Sequence, residues 1–137
     1  MKINEFRAWG KNLKKMYDVL CIDLLTGKLI ISSKDEENPS GWVHSKHFEL
    51  MQLTGRKDKH GKESYDKDII KARYYNYNEP DTSLIGVISK EKSLFVFKDK
   101  IIDQKSKVSD YRANCPLFYV DEFEILGNIK ENPELLK

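Results

Sequence analysis

Apolar positions along this chain fall into short runs of strand character, separated by polar segments carrying Gly, Pro, Asn or Asp. Met16 to Leu24 is mostly apolar, with β-branched and aromatic members, and reads as a strand. Thr26-Gly27 then supplies a short turn into a second strand over Lys28–Ser32, so the pair is a predicted hairpin. In the first strand Tyr17, Val19 and Cys21 share one face, while Leu20, Ile22 and Leu24 share the other. Apolar side chains on both faces predict a strand covered, at least in part, on both sides.

Ser33 to Gly41 is a loop by composition and ends in Pro39-Ser40-Gly41. Strand character returns, less cleanly, from Trp42 to Leu53. Ile69 to Tyr75 sets Ile69, Lys71 and Arg73 against Ile70, Ala72 and Tyr74, and a second loop covers Asn76 to Ser83. Leu84–Ser89 and Ser93–Lys98 flank Lys90-Glu91-Lys92, which has the length of a hairpin loop but not its usual glycine. Ile101 to Ala113 supports no assignment. Leu117–Val120 and Phe123–Leu126 read as a final strand pair or one bent strand. Near the end, Asn132 is placed as the N-cap and Pro133 as the first residue of one helical turn. The pattern as a whole predicts a mainly β protein, a small strand-rich barrel-like or sandwich-like architecture with little helix.

A length of 137 residues fits one domain over 1–137 or two small β subdomains sharing an interface. Charged residues make up 34% of the chain but cancel to a net +2, so no strong long-range field follows. Cys21 and Cys115 lie far apart, each in or beside an apolar run, where a free thiol packs as a small hydrophobe. One candidate bridge does not make a secreted disulfide framework. Met1 to Arg7 lacks the apolar core of a signal peptide, and no apolar run is long enough to span a bilayer. The expected location is the cytoplasm, with no membrane partner.

Candidate chemistry is sparse. His44 and His47, with His60 further on, are the one candidate metal cluster, but on a strand His44 and His47 point to opposite faces. Histidines hydrogen-bonded beside Trp42 and Phe48 are the better reading, and no metal is expected. The run from Arg56 to Lys62 offers cations for a phosphate backbone, with Tyr65, Tyr74, Tyr75 and Tyr77 as stacking faces. Interleaved Asp58, Glu63, Asp66 and Asp68 favour a solvated turn instead. Asp121-Glu122 with Glu124, and Glu36-Glu37, place carboxylates close together, yet acids in exposed β loops are mostly just hydrated. Neither cysteine has a histidine at a telling spacing, and no Gly-x-Ser-x-Gly elbow is present. Neither catalysis nor a cofactor is expected.

Four stretches together resemble the YopX family of phage and prophage proteins. They are Phe6-Arg7-Ala8-Trp9 with Lys14 to Tyr17; Leu50 to Gly55 leading into Lys57 to Glu63; Tyr65 with Asp68-Ile69-Ile70; and Gly127-Asn128-Ile129 with Glu131 to Leu136. Lys67 stands where that pattern has Gly, which argues against a positive-φ turn just before Asp68. Ser64 stands where it has an apolar residue, which weakens packing there. The resemblance implies a small, mainly β, phage-encoded protein for which an assembly of identical chains is plausible, and it transfers no catalytic or binding residue. Gly55 and Gly61 are expected to shape turns through positive φ, and Asp68 to accept backbone N–H groups near its turn.

The expectation is a non-enzymatic protein that associates with itself or with another phage or host protein. The alternative is a nucleic-acid-binding module using Arg56, Lys57, Lys59, Lys62, Lys71 and Arg73, on loop 56–62 and strand 69–75.

Overall fold

Eleven strands form among the residues described in the computed structural model, which are 5–75, 82–99 and 114–136. They are β1 (Phe6–Gly10), β2 (Lys15–Asp23), β3 (Lys28–Ser32), β4 (Val43–His44), β5 (Phe48–Lys57), β6 (Glu63–Tyr65), β7 (Asp68–Tyr74), β8 (Thr82–Glu91), β9 (Leu94–Asp99), β10 (Asn114–Pro116) and β11 (Glu122–Asn128). Three 3-10 turns complete the described elements, at Ser45–His47, Leu117–Tyr119 and Pro133–Leu136. The strands make two antiparallel sheets, in the orders β4-β3-β2-β1-β5-β6 and β10-β9-β8-β7-β11. The mainly β expectation holds, and neither sheet closes into a barrel among the described residues. The stretch 101–113, and most of the loop expected over Asn76 to Ser83, lie outside the described residues. The chain divides into two compact units, Met1–Leu53 and Thr54–Lys137, with β5 running from one into the other.

In the first unit the sheet must curl. β4 and β5 are four positions apart in strand order, which a flat sheet would separate by about 19 Å. Only Ser45–His47 joins them, and that link reaches about 14 Å even when extended. Two backbone hydrogen bonds fasten the link, Ser45 N–H to Gly27 O at 2.9 Å and Lys11 N–H to His47 O at 3.0 Å. The concave side buries Ala8, Tyr17, Val19, Leu29 and Ile31. The β2–β3 hairpin forms as the pattern predicts, with Gly27 at φ 71. The expected cover on both faces of β2 does not form. Tyr17 and Val19 are buried, but Leu20 and Cys21 are exposed, and a register shift between Val19 and Cys21 breaks the alternation. That irregularity re-aims the strand end, so Cys21 does not follow Tyr17 and Val19 inward.

In the second unit, Ile70, Ala72 and Tyr74 of β7 enter a core with Ile88, Phe97, Cys115, Leu117, Val120 and Phe123. Lys71 and Arg73 point the other way, as alternation requires. Leu117–Tyr119 is a 3-10 turn rather than the start of the expected strand. Leu117 and Val120, three residues apart, are both buried, and Val120 N–H closes on Leu117 O at 3.1 Å. That spacing suits three residues per turn and not a period of two. Pro133 opens the last 3-10 turn as expected, but the Asn132 side chain reaches back to accept from Asn128 N–H at 3.3 Å instead of capping forward.

Two departures from the expected pattern, Lys67 and Ser64, resolve differently. Lys67 adopts φ 73, so the positive-φ turn before Asp68 forms despite the lysine. Its N–H donates to Ile88 O at 2.8 Å and its carbonyl accepts from Ile129 N–H at 3.1 Å, so neighbouring backbone holds it there. A non-glycine residue in this region is strained by about 1–2 kcal/mol. Lys67→Gly is therefore expected to raise stability by about 0.5–1 kcal/mol after the added unfolded-state entropy is subtracted, read as a higher urea midpoint with unchanged slope. Ser64 is fully buried where an apolar residue was expected. Its hydroxyl donates to Arg56 O at 2.6 Å and contacts Thr54 Oγ1, so it replaces packing with hydrogen bonds.

Candidate functional site

The glycine-punctuated centre is built around one carboxylate, Asp58, which was expected to belong to a solvated turn and is instead buried. Asp58 is only 7% exposed. Its Oδ1 accepts from His60 N–H and Lys62 N–H, both at 2.9 Å, and its Oδ2 accepts from Ile125 N–H of β11 at 3.1 Å. Gly61, at φ 81, lets the chain reverse so that Asp58 N–H meets Lys62 O at 2.8 Å. Lys59 N–H donates to Phe123 O at 2.8 Å. Burial pushes the Asp58 carboxyl up, but the backbone donors and His60 outweigh it and hold its pKa below the ordinary value. The turn is thus docked on β11. Asp58 with Gly61 three residues on is a turn signature, so the local half was readable. The bond to Ile125 was not. Asp68 behaves as expected: it is buried and accepts Tyr65 N–H at 2.8 Å. Gly55 adopts φ 87, also as expected.

The six cations named from sequence do not form one surface. Arg56 turns inward, donating to Leu117 O at 2.7 Å and Asp121 O at 2.9 Å, with its guanidinium 5.0 Å from the Phe123 ring centre. Burial lowers its pKa, with Asp121 opposing. These contacts make Arg56 a brace of its unit. Lys57 faces Glu63 at 3.9 Å, and Lys62 is exposed on the turn. Lys59, Lys71 and Arg73 do converge. With Ser83, Phe123 and Glu124 they line a concavity of about 280 Å³ in the second unit.

Acidic residues on β11 flank that concavity in register. Glu122 lies opposite Arg73, and Glu124 opposite Lys71. Glu124 is engaged by Lys59 at 3.5 Å and His60 at 3.6 Å, and Glu122 by Arg73 at 3.7 Å and the Tyr75 hydroxyl. Asp121 accepts Tyr75 N–H at 2.7 Å. Each of these acids is thus engaged by a donor or cation rather than by a second acid. Of the proposed stacking faces, Tyr74 is buried and Tyr75 is exposed, with Arg73 5.5 Å from its ring centre; Tyr77 lies outside the described residues. His44 Nδ1 accepts Lys46 N–H at 3.2 Å at the start of the 3-10 turn. Among the described residues no three His, Cys, Asp or Glu gather in a way that could hold a metal ion.

The first unit carries a different kind of surface. Gly10, Leu13, Tyr17, Val43, His47 and Phe48, with Asn12, line an apolar groove of about 220 Å³. Tyr17 and Phe48 meet edge to face, 5.9 Å between centres, and form one wall. Leu13 stands 75% exposed beside it. The tip of the β2–β3 hairpin presents Leu24 and Leu25, 91% and 98% exposed. The tip is ordered by Asp23, whose Oδ1 accepts Leu25 N–H at 2.9 Å and whose carbonyl accepts Gly27 N–H at 2.8 Å. The Leu25 N–H bond to that carboxylate, followed by Thr26, holds the Asp23 pKa below its usual value. Two leucines in water on a fixed turn are not explained by folding.

Comparison with known proteins covers the whole chain. The sequence model of the YopX protein family matches residues 5–137. The fold is similar to the crystal structure of protein EF1440 from Enterococcus faecalis, with a TM-score of 0.59 and 23% identity over 100% of both chains. It is equally similar to the X-ray structure of protein yopX from Bacillus subtilis, with a TM-score of 0.59 and 21% identity over 98% of this chain and 100% of that one. At these identities the likeness speaks for the fold. No curated protein matches the sequence. No described helix is long and apolar enough to cross a membrane.

Proposed function

The chain belongs to the YopX protein family, and from that premise we propose a non-enzymatic, phage- or prophage-encoded protein that works by association, first with copies of itself. One observation carries the reading: the same unit holds an ordered apolar knob, Leu24-Leu25, and an open apolar groove between Leu13, Tyr17, Val43 and Phe48. A knob on one copy and a groove on the next form a heterologous contact, which closes into a ring or propagates. The net charge of +2 does not oppose the approach of identical chains. Two leucines contribute on the order of 3–6 kcal/mol when covered, which does not by itself offset the cost of immobilising a partner. The interface must therefore extend beyond them, and Leu20, Trp42 and Leu50 are further exposed apolar side chains of that unit. Neither Cys21 nor Cys115 is in a disulfide, which fits a bacterial cytoplasm.

Light scattering tests this. The wild-type chain is expected to form oligomers, whereas Leu24→Ser/Leu25→Ser and Leu13→Glu are each expected to be monomeric and as stable as wild type. An equal mixture of the two variants leaves one intact knob and one intact groove, so it is expected to yield dimers and nothing larger. A wild-type chain that stays monomeric at high concentration would remove self-association and leave a separate protein partner. Nucleic acid is the competing reading. It requires binding at low salt that collapses steeply as salt rises.

A further inference from the structure

We propose that the concavity between β7, β8 and β11 in the second unit binds a single phosphoryl group, that of inorganic phosphate or of a small phosphomonoester. Lys71 is the central donor. It projects from β7 on the face opposite the core, and β-pairing places it across from Glu124. Glu124 is already engaged by Lys59 and His60, and Lys71 has no acidic partner among the described residues. Two residues along the same face stands Arg73, across from Ser83 of β8. Lys59 is set at the rim by the docked Asp58 turn, through its backbone bond to Phe123. Lys71, Arg73, Lys59 and Ser83, with Phe123 and Glu124, thus line one space of about 280 Å³, in which Arg73 is also engaged by Glu122 at 3.7 Å.

That donor set matches the chemistry of a phosphate dianion. A guanidinium offers parallel N–H bonds to two oxygens, an ammonium supplies a compact charge, and a hydroxyl can donate to the remaining oxygen. The same arrangement disfavours a nucleic-acid strand. Cations on β7 are flanked by Glu122 and Glu124 on β11, so a backbone with successive phosphates would meet carboxylates beside every lysine or arginine it reached. A single anion of limited size meets only Glu124 in the lining, and Lys59 already engages that carboxylate. This site shares no residue with the apolar knob and groove, so it stands or falls separately from self-association.

The test is a nuclear magnetic resonance titration of the full chain, following backbone amides of β7, β8 and β11. Inorganic phosphate and ribose 5-phosphate are added in separate arms, with chloride at matched ionic strength as the control and a single-stranded DNA oligonucleotide as a fourth arm. Saturable shifts confined to residues around Lys71, Arg73 and Ser83 are expected, with a Kd on the order of 1 mM or tighter. Tighter binding of ribose 5-phosphate than of inorganic phosphate assigns a phosphomonoester, and the reverse assigns the free ion. Lys71→Ala is expected to weaken binding about tenfold, while Lys57→Ala, outside the concavity, leaves it unchanged. Equal shifts with chloride, or unchanged binding in the folded Lys71→Ala protein, would overturn the assignment. So would DNA binding at this face with no response to either phosphate.

Discussion

Gly86→Ala is expected to be among the most damaging single substitutions in this chain, costing roughly 3–5 kcal/mol or preventing the second unit from folding. Gly86 lies in β8, between β7 and β9, paired with Ile70 on one side and Asp99 on the other. A Cβ there would sit 2.1 Å from the Lys98 carbonyl oxygen and 2.8 Å from the Phe97 ring. The carbonyl belongs to the neighbouring strand and cannot retreat without opening that ladder, and Phe97 is fully buried in the core. Relief on either side disturbs hydrogen bonds or packing. Two other glycines separate this effect from loss of flexibility alone. Gly41 has nothing within 4 Å of its would-be Cβ, so Gly41→Ala should be near neutral. Gly55 is equally open but sits at φ 87, so Gly55→Ala should cost only the strain of about 1–2 kcal/mol. Urea unfolding followed by circular dichroism ranks the three. A Gly86→Ala protein as stable as the Gly41→Ala protein would show that β8 and β9 do not approach as closely as described.

Gly86 also marks where sequence reasoning stops. A lone glycine inside Leu84–Ser89 does not disturb the strand pattern, and nothing local tells that another backbone presses on it. Elements written in local chemistry were legible. The β2–β3 hairpin follows from an apolar run, Thr26-Gly27 and a second run, and β7 follows from strict alternation of Ile70, Ala72 and Tyr74 against Lys71 and Arg73. β1 and β6 were not resolved as strands, because they are short and owe their conformation to pairing, β1 with both β2 and β5. Lys67 was misleading for the same reason: Ile88 and Ile129, both distant in sequence, hold its positive φ.

The candidate site divides along the same line. Lys71 and Arg73 share a face by simple periodicity, so their pairing was readable. That Lys59 joins them depends on the turn being pinned to β11, and that Arg56 leaves them depends on carbonyls at Leu117 and Asp121. A run of basic residues therefore looked like one patch when it is a brace, a rim and two solvent-facing lysines. The central segment does shape backbone, as its glycines indicated, but a buried aspartate does as much of the shaping.

Replacing that aspartate is the second large effect expected. Asp58→Ala removes three charge-assisted hydrogen bonds from backbone N–H groups and leaves those donors in a largely buried place. The expected loss is about 3–4 kcal/mol. Asp58→Asn should lose less, since an amide oxygen can still accept from His60 and Lys62, while its NH2 group faces the Ile125 N–H donor and cannot. The same carboxylate makes stability depend on acid. Its folded pKa lies below the ordinary value because the backbone donors outweigh burial, so protonation is harder in the folded state than in the unfolded one. Its contribution is therefore complete above the unfolded pKa of about 3.9. It drains away as pH falls through the folded value. Urea midpoints between pH 7 and the acid limit should decline less steeply for Asp58→Asn than for wild type below about pH 4. Parallel declines would mean the carboxylate is not the group being titrated. Because this turn also sets Lys59 at the rim of the concavity, Asp58→Asn should weaken phosphate binding while Lys71 and Arg73 remain in place. A variant that keeps full affinity would show that Lys59 reaches the anion without help from the docked turn.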